Sequence, residues 1–395
     1  MAVSYPFSKR VEHFVLPKQW ASMRVAKEIE KNTGKKIIHF EKGDYQGPEF
    51  DVPEHVFEAM DKALKEGYVR YDPGPGLPEL REAIAEEMKK RGRPTTHDEV
   101  LVTSGAKQAL KMTLLSFLDD GDEVIFPNPG YPPDEVWAKY AGAKIMHTPL
   151  TIPDWQFDID ELEHMITPKT KLLIINTPQR PNGNLVMNTE EIANICLKHE
   201  QLMVISDEIF SHMIYDGKQH RTISAVPGMA EKTIVIDTFS KTYAMTGWRI
   251  GWVVAPKPVA EKLSIFLQDS ITNVAVFIQK AAYAALTGPQ DWVDRKTQTL
   301  QKKRDRIVSG LNSIQNIKCD TPPGAFYAFP DITETSLTSQ EFVDRLIQNV
   351  GVAVVAGTAF GSQGEGHVRV TYATTDEDID EGIRRMKEAS LKKSA

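Results

Sequence analysis

Length, composition and charge restrict the kinds of protein that this chain can be. It has 395 residues, of which 41% are hydrophobic, and a formal net charge of −7. This length exceeds the usual size of one domain, so we expect a large domain and a smaller one with a substantial core. The net charge is negative and no basic stripe is present, which argues against nucleic acid as a partner.

Cysteines, histidines and apolar runs exclude further classes. Cys196 and Cys319 lie far apart without a CxxC pattern, which argues against a disulfide framework and against a structural zinc site. The ten histidines include no HExxH pair, so metal catalysis is not indicated. No signal-peptide core and no apolar run long enough to span a bilayer are recognisable. We therefore expect a cytoplasmic protein without a membrane partner.

Short β-branched runs alternate with amphipathic stretches through the middle of the chain. Their spacing leaves room for crossover helices, which we predict at 106–118 and 189–199. The pattern predicts an α/β fold with a mostly parallel, seven-stranded sheet and flanking helices. The predicted strands are 99–103, 123–126, 144–148, 171–176, 202–207, 233–238 and 250–254.

The pattern changes near residue 287. Longer charged helices are predicted beyond it, around short strands, which indicates a smaller α+β domain at 288–395. We expect 46–287 to form the large domain and 1–45 to fold back onto the smaller one. The predicted late helices are 291–312, 339–350 and 376–392.

Lys241 is the most informative single residue. The buried run 233–238 delivers it to the carboxyl end of a strand, where open α/β sheets bind ligands. A lysine amine condenses with an aldehyde when desolvation and a nearby cation, here Arg249, lower its pKa. The pairing of this lysine with an arginine that could hold a phosphate suggests pyridoxal phosphate. The alternative is a surface lysine that follows a strand.

Two further motifs fit an anionic ring compound. Ser104-Gly105-Ala106-Lys107 lies where a strand turns into a helix, so its backbone N–H groups can hold a phosphate. Asp207 ends a buried strand, where a carboxylate can keep a pyridine nitrogen protonated. Each motif also has an ordinary interpretation as a helix N-cap.

Tyr131 and Arg369 complete the set of candidate residues. Tyr131 lies on a proline-rich loop and could stack on a planar ring, or only pack in the turn. Arg369 alternates with apolar residues on a short late strand. Its guanidinium could bind a carboxylate through two hydrogen bonds, or face outward from an edge strand.

In this order, the motifs resemble those of fold-type I pyridoxal-phosphate enzymes of the class I/II aminotransferase family. The resemblance runs from about residue 37 to about residue 372. It rests on Tyr71 through Arg81, Ser104-Gly105-Ala106, the Pro-Gly-Tyr-Pro loop around Tyr131, Asp207-Glu208, Ser240-Lys241 through Arg249, and Arg369.

The resemblance implies roles for residues that hold the cofactor ring. Lys241 would form the aldimine with pyridoxal 5'-phosphate and later transfer the proton. Asp207 would pair with the pyridine nitrogen, and Tyr131 would stack on the ring. The phosphate would be held by the Gly105 and Ala106 backbone, Thr238 and Arg249.

It also implies a substrate site and an oligomer. Arg369 would bind the substrate α-carboxylate, and the segment around Gln46 and Gly47 would close over the substrate. Tyr71 would reach the phosphate of the other subunit, which implies a homodimer with shared active sites.

Two residues depart from the family pattern. Arg180 stands where relatives usually carry an asparagine that donates to the phenolic oxygen of the cofactor. Phe210 stands where a tyrosine hydroxyl commonly contacts the same oxygen. We hypothesise that the Arg180 guanidinium replaces both donors. The alternative is that the two changes are neutral and that ordinary transamination is retained.

Two hypotheses follow for the reaction. The first is an aminotransferase that acts on an L-amino acid and a 2-oxo acid. The alternative is a pyridoxal-phosphate enzyme for elimination, replacement or carbon–carbon bond formation in a biosynthetic pathway, which the departures at Arg180 and Phe210 favour. The sequence does not name the amino acid.

Overall fold

The computed structural model describes residues 5–14, 16, 18–72 and 74–389, and all structural statements below refer to these residues. The strands are β1 (Ile38–His39), β2 (Val100–Thr103), β3 (Glu123–Asn128), β4 (Lys144–Thr151), β5 (Gln156–Phe157), β6 (Thr170–Asn176), β7 (Met203–Asp207), β8 (Thr233–Thr238), β9 (Gly251–Val254), β10 (Tyr327–Ala328), β11 (Val352–Ala353), β12 (Val355–Ala356) and β13 (Val368–Thr371).

Helices cover both faces of the central strands. They are α1 (Lys18–Thr33), α2 (Glu54–Lys65), α3 (Pro78–Lys90), α4 (Ala106–Phe117), α5 (Glu135–Ala141), α6 (Ile159–Met165), α7 (Thr189–Lys198), α8 (Phe239–Thr242), α9 (Lys257–Ile271), α10 (Val276–Thr287), α11 (Asp291–Asn312), α12 (Ser339–Arg345) and α13 (Asp376–Glu388).

The central sheet has eight strands, in the order β2-β9-β8-β7-β6-β3-β4-β5. The neighbours from β4 to β8 are parallel, whereas β9 and β5 run antiparallel to their partners. The α/β class and the mostly parallel sheet are therefore confirmed. The predicted count of seven strands is wrong by one, because β5 has two residues and is too short to show a hydrophobic period.

Burial explains why the central strands could be predicted. Helices cover both faces of the sheet, so its central strands are buried. This holds for all residues of β3 and β8 and for β7 from Val204 onward. Parallel strands in this position have near-continuous apolar runs rather than alternation.

Register aligns those carboxyl ends. Asn176 at the end of β6 pairs with Asp207 at the end of β7, and Asp207 pairs with Ile236 of β8. The chain of β8 continues to Thr238 and turns directly into α8, which carries Lys241. Three strands thus deliver polar side chains to one edge of the sheet.

Residues from the two chain ends pack together. β1 pairs in parallel with β11, Ile38 opposite Val352. A separate antiparallel sheet, β10-β13-β12, carries Arg369 opposite Val355. The boundaries at 45/46 and 287/288 remain predictions.

The late helices differ slightly from the prediction. α11 has the predicted bounds, α12 passes at Leu346–Val350 into a π-helical turn, and α13 ends at Glu388. Residues 390–392 of the predicted last helix lie outside the described residues. No described helix has the length and apolar character needed to cross a membrane.

Candidate active site

A cavity of about 350 Å³ opens at the carboxyl ends of the central strands. The segment before α2, helix α1, the central sheet and the small sheet all contribute to its wall. Its lining residues are Trp20, Met23, Glu41, Lys42, Gly43, Asp44, Tyr131, Arg180, Ile209, Phe210, Lys241, Tyr327 and Arg369.

Lys241 lies inside this cavity. Its Nζ donates a hydrogen bond to the carbonyl of Gly43 at 2.7 Å. Burial lowers the pKa of Lys241 to about 8, and the positive charges of Arg180 and Arg369 act in the same direction, against the opposing effect of Asp44. At pH 7 about one tenth of its amine is therefore uncharged, far more than for an ordinary lysine, and the uncharged amine is the nucleophile.

Asp207 lies at the end of β7, almost fully buried. Asn176 Nδ2 donates to the Asp207 carbonyl at 3.0 Å, which fixes the end of the strand. Burial raises the pKa of the Asp207 carboxyl group, and the Arg180 guanidinium beside it partly offsets this rise. A cation next to Asp207 is therefore needed to keep the carboxylate ionised.

The guanidinium of Arg180 is that cation. Its Nη2 donates a hydrogen bond to Asp207 Oδ2. Its Cζ lies 3.9 Å from the centroid of the Tyr131 ring. The Arg180 backbone N–H and Nε both donate to Asn176 Oδ1, at 2.8 and 3.2 Å. Asp134 Oδ2 lies 3.9 Å from Arg180 Nη2, so the guanidinium lies between two carboxylates.

Phe210 packs at the side of the cavity. Its ring contacts those of Phe326 and Tyr327 edge-on, with centroids 5.2 and 5.7 Å apart. The side chain is fully buried, so the aromatic cluster fixes its position. The cavity thus has an apolar edge at this position.

A turn at the start of α4 has a backbone geometry that suits an anion. Gly105 has φ 77° and ψ 168°, a conformation open almost only to glycine. A Cβ atom at this position would lie 2.8 Å from Arg249 Nη2, so the missing side chain lets the guanidinium approach the turn. Arg249 Nη1 is held by the Thr246 carbonyl at 2.8 Å, and its Nη2 lies 3.5 Å from the Ser104 carbonyl.

Thr238 lies near the same turn, at the end of β8. Its Oγ1 lies 2.9 Å from Ser240 Oγ and 2.8 Å from the Ile250 carbonyl, both within hydrogen-bond distance. Lys107, by contrast, is exposed, and its Nζ lies 5.8 Å from the Trp20 ring centroid. The N-terminus of α4, the hydroxyl groups of Thr238 and Ser240, and the Arg249 guanidinium together suit a phosphate.

Arg369 is buried between two aromatic rings. Its Cζ lies 4.6 Å from the ring centroid of Tyr327 and 5.1 Å from that of Phe360. Nη2 donates to the Glu41 carbonyl, and Nε has no hydrogen-bond partner among the described residues. The guanidinium therefore has donor capacity left for a carboxylate inside the cavity.

Of the predicted site residues, four line the cavity: Tyr131, Arg180, Lys241 and Arg369. Gln46, Gly47 and Tyr71 are among those that lie outside its wall. Gln46 donates through Nε2 to the His39 carbonyl at 2.9 Å, and Gly47 precedes a 3₁₀ turn. Gly43 lines the cavity in their place, three residues before Gln46. Tyr71 is 84% exposed.

Sequence reasoning missed several residues of the site. Asn176 ends a buried strand as Asp207 does, and this position could have identified it. Gly43 and Tyr327, which line the cavity, and Asp134, which lies beside Arg180, carry no comparable local signal, because only the folded chain brings them together.

Comparison with known proteins agrees with this geometry. A family model described as aminotransferase class I and II matches residues 35–386. The chain therefore belongs to the class I and II aminotransferase family, and it is a pyridoxal-phosphate-dependent transferase.

Individual relatives carry different substrate names. An aspartate aminotransferase of Pyrococcus abyssi is 41% identical over 88% of this chain and 90% of its own length. An aromatic-amino-acid aminotransferase of Thermococcus litoralis is 39% identical over 88% and 90%. A solved alanine aminotransferase from Pyrococcus furiosus superposes with a TM-score of 0.90 at 35% identity, over 97% of this chain and 98% of that one.

Proposed function

We propose that this protein is an aminotransferase that passes an amino group from an L-amino acid to a 2-oxo acid, with pyridoxal 5'-phosphate bound at Lys241. The observation that carries the proposal is that Lys241 and Arg369 line one cavity together with Arg180, whose guanidinium donates to Asp207 directly behind the wall. These residues supply an amine of lowered pKa, a buried carboxylate and a buried guanidinium.

The residues that line the cavity and those that lie beside it suit the parts of this cofactor. The turn at Gly105, with Thr238 and Arg249, would hold the phosphate. Asp207 would hold the ring nitrogen and Tyr131 would stack on the ring. When bound, the cofactor supplies an aldehyde for amines and an electron-withdrawing ring.

Substrate binding and proton transfer fall to the remaining residues. Arg369 would bind the substrate α-carboxylate through two hydrogen bonds, which orients the α-carbon toward Lys241. The Lys241 amine, with a pKa of about 8, is suited to take the α-proton and to return it at a neighbouring carbon. The rings of Phe210 and Tyr327 pack against each other and line one side of the cavity.

Reduction with borohydride tests the attachment. We expect the reagent to fix the cofactor irreversibly on Lys241 and on no other lysine, as read by peptide mass spectrometry. Lys241→Ala should lose both the adduct and turnover, whereas Lys257→Ala, at an exposed lysine paired with Asp98, should keep both. An adduct at another lysine would refute the assignment.

A second candidate reaction rests on Arg180 and Phe210. Arg180 places a permanent cation beside Asp207, and Phe210 has no hydroxyl to offer at the cavity edge. These differences favour an enzyme that uses the same cofactor for elimination, replacement or carbon–carbon bond formation. Half-transamination separates the two reactions. Stoichiometric appearance of the pyridoxamine form with an amino acid alone supports the aminotransferase, and its absence with every amino acid supports the alternative.

We also propose a homodimer with shared active sites. Tyr71 is 84% exposed, an unusual position for a tyrosine in a monomer, and this exposure supports a role across an interface.

A further inference from the structure

Arg180 holds the two partners that the proposed function gives to the cofactor ring. Its guanidinium lies 3.9 Å from the Tyr131 ring centroid and donates to Asp207 Oδ2. A pyridinium ring stacked on Tyr131 with its nitrogen at Asp207 would compete with the guanidinium for the Tyr131 ring face and for the Asp207 carboxylate. The two cations therefore exclude each other from this position, because they require the same space.

A second carboxylate lies beside the guanidinium. Asp134 Oδ2 is 3.9 Å from Arg180 Nη2, and the Asp134 side chain is only 5% exposed. In the part of the chain that the structure describes, Arg180 is the one residue that forms an ion pair with Asp134. A buried carboxylate with a single, distant cationic partner can accept a closer one.

We propose that Arg180 is a two-position cation, which pairs with Asp207 until the cofactor arrives and then moves to Asp134 while the ring takes Asp207. This inference rests on the proposed function. It makes Arg180 and Asp134 positioning residues for cofactor binding, because both act through Asp207.

The movement required is small. The Arg180 backbone N–H stays on Asn176 Oδ1 at 2.8 Å, so the loop that carries Arg180 remains anchored. Rotation within the side chain is enough to carry Nη2 from one carboxylate to the other, since Asp134 is already within 4 Å. Asp134 itself lies on a short helical turn three residues after Tyr131, which fixes its distance from the ring face.

Charge balance supports the exchange. Burial raises the pKa of Asp134 to about 8, so its carboxyl group is largely protonated near neutral pH while Arg180 stays on Asp207. When Arg180 arrives, Asp134 releases its proton, and the ring nitrogen gains one to pair with Asp207. Asp134 and Asp207 then each have one cationic partner.

The exchange predicts a specific coupling between two substitutions. Asp134→Asn removes the second acceptor but keeps the shape, so Arg180 should stay on Asp207 and cofactor binding should weaken. Arg180→Gln removes the competing cation, so the ring should reach Asp207 directly. In the Arg180→Gln background, Asp134→Asn should then have little effect.

The experiment measures binding of 4-deoxypyridoxine 5'-phosphate to the full chain freed of cofactor. This analogue has no aldehyde, so its affinity does not depend on bond formation at Lys241. Affinity comes from equilibrium dialysis, and association rate comes from stopped-flow fluorescence. We expect Asp134→Asn to weaken binding about tenfold or more, as the loss of one buried ion-pair acceptor implies. Arg180→Gln should speed association, and the double variant should bind like Arg180→Gln.

Glu135→Gln is the matched control. Glu135 is the next residue in the chain, but its carboxylate pairs with Lys139 and His147 outside the cavity, so this change should leave binding unaltered. Circular dichroism of each variant checks folding. If Asp134→Asn does not fold, the faster association of Arg180→Gln remains as an independent test.

The outcomes separate this inference from the proposed function. Equal affinity and equal association rates for all four proteins would overturn the two-position arginine and leave the proposed function intact. The two-position arginine would also be overturned, with the proposed function intact, if Asp134→Asn weakened binding equally in the wild type and in Arg180→Gln. If none of the proteins binds the analogue, the proposed function itself fails.

Discussion

The side-chain amine of Lys296 donates a hydrogen bond to the backbone carbonyl of Lys241 at 2.9 Å, and another to that of Thr242. Lys296 lies on α11, 55 residues further along the chain. The Tyr45 hydroxyl donates to the same Lys241 carbonyl. The short helix that carries Lys241 is thus anchored by two groups from distant segments.

Lys296 should make stability depend on pH. Burial, and secondarily the charge of Lys241, lower the pKa of Lys296 from 10.5 to about 7. Between these values the unfolded chain binds the proton and the folded protein does not, so the contribution of Lys296 to stability rises with pH. Relative to Lys296→Met, we expect the free energy of unfolding to increase by about 1 kcal/mol per pH unit.

Urea unfolding of both proteins across this pH window measures the effect. Lys302→Met, an exposed position on the same helix, is the control and should show no such trend. A pH-independent difference between the wild type and Lys296→Met would contradict the prediction.

Asp207→Ala should slow the reaction strongly without unfolding the protein. A charge-assisted hydrogen bond contributes about 1.5–3 kcal/mol, so we expect a loss of about one to two orders of magnitude in the rate with amino acid. Single-turnover absorbance measures this rate, and circular dichroism checks the fold. Asp320→Ala, at an exposed aspartate, should react like the wild type. Wild-type rates in Asp207→Ala would remove its assigned role.

Mixing of variants tests the shared active site. Lys241→Ala keeps Tyr71, and Tyr71→Ala keeps Lys241, so a mixed dimer has one site with both native residues if Tyr71 acts across the interface. We expect the mixture to regain activity that neither variant shows alone. If Tyr71 serves its own subunit, mixing will give only the average of the two. Sedimentation of an active monomer would exclude the dimer directly.

Gly105→Ala should weaken cofactor retention. The new Cβ would lie 2.8 Å from Arg249 Nη2, which pushes the guanidinium from the turn. The backbone strain adds about 1–3 kcal/mol. Gly121→Ala is the matched control, because Gly121 also has a positive φ, 84°, but no atom lies within 4 Å of the place that its Cβ would occupy. If the two variants had equal dissociation constants for the cofactor, the close approach of Arg249 to the turn at Gly105 would not contribute to cofactor binding.

Much of the fold and some of the candidate site could be predicted from the sequence. The predicted strand 233–238 matches β8, and the predicted helix 291–312 matches α11, because apolar period and β-branched runs are local properties. Position at the end of such a strand also indicated Lys241 and Asp207 as candidates. The two-residue β5 escaped detection because it has no period to recognise.

The tertiary structure decided which side chains meet. Arg180 reaches Asp207 over 27 positions of sequence, and Lys241 reaches the Gly43 carbonyl over 198. No local pattern encodes such contacts, since they depend on strand order, register and the packing of the chain ends. The sequence by itself therefore determined the class of fold and the residues that end its central strands. Only the folded chain placed Arg180 between Asp207 and Asp134, because the long-range path of the backbone brings these three charges into one buried volume.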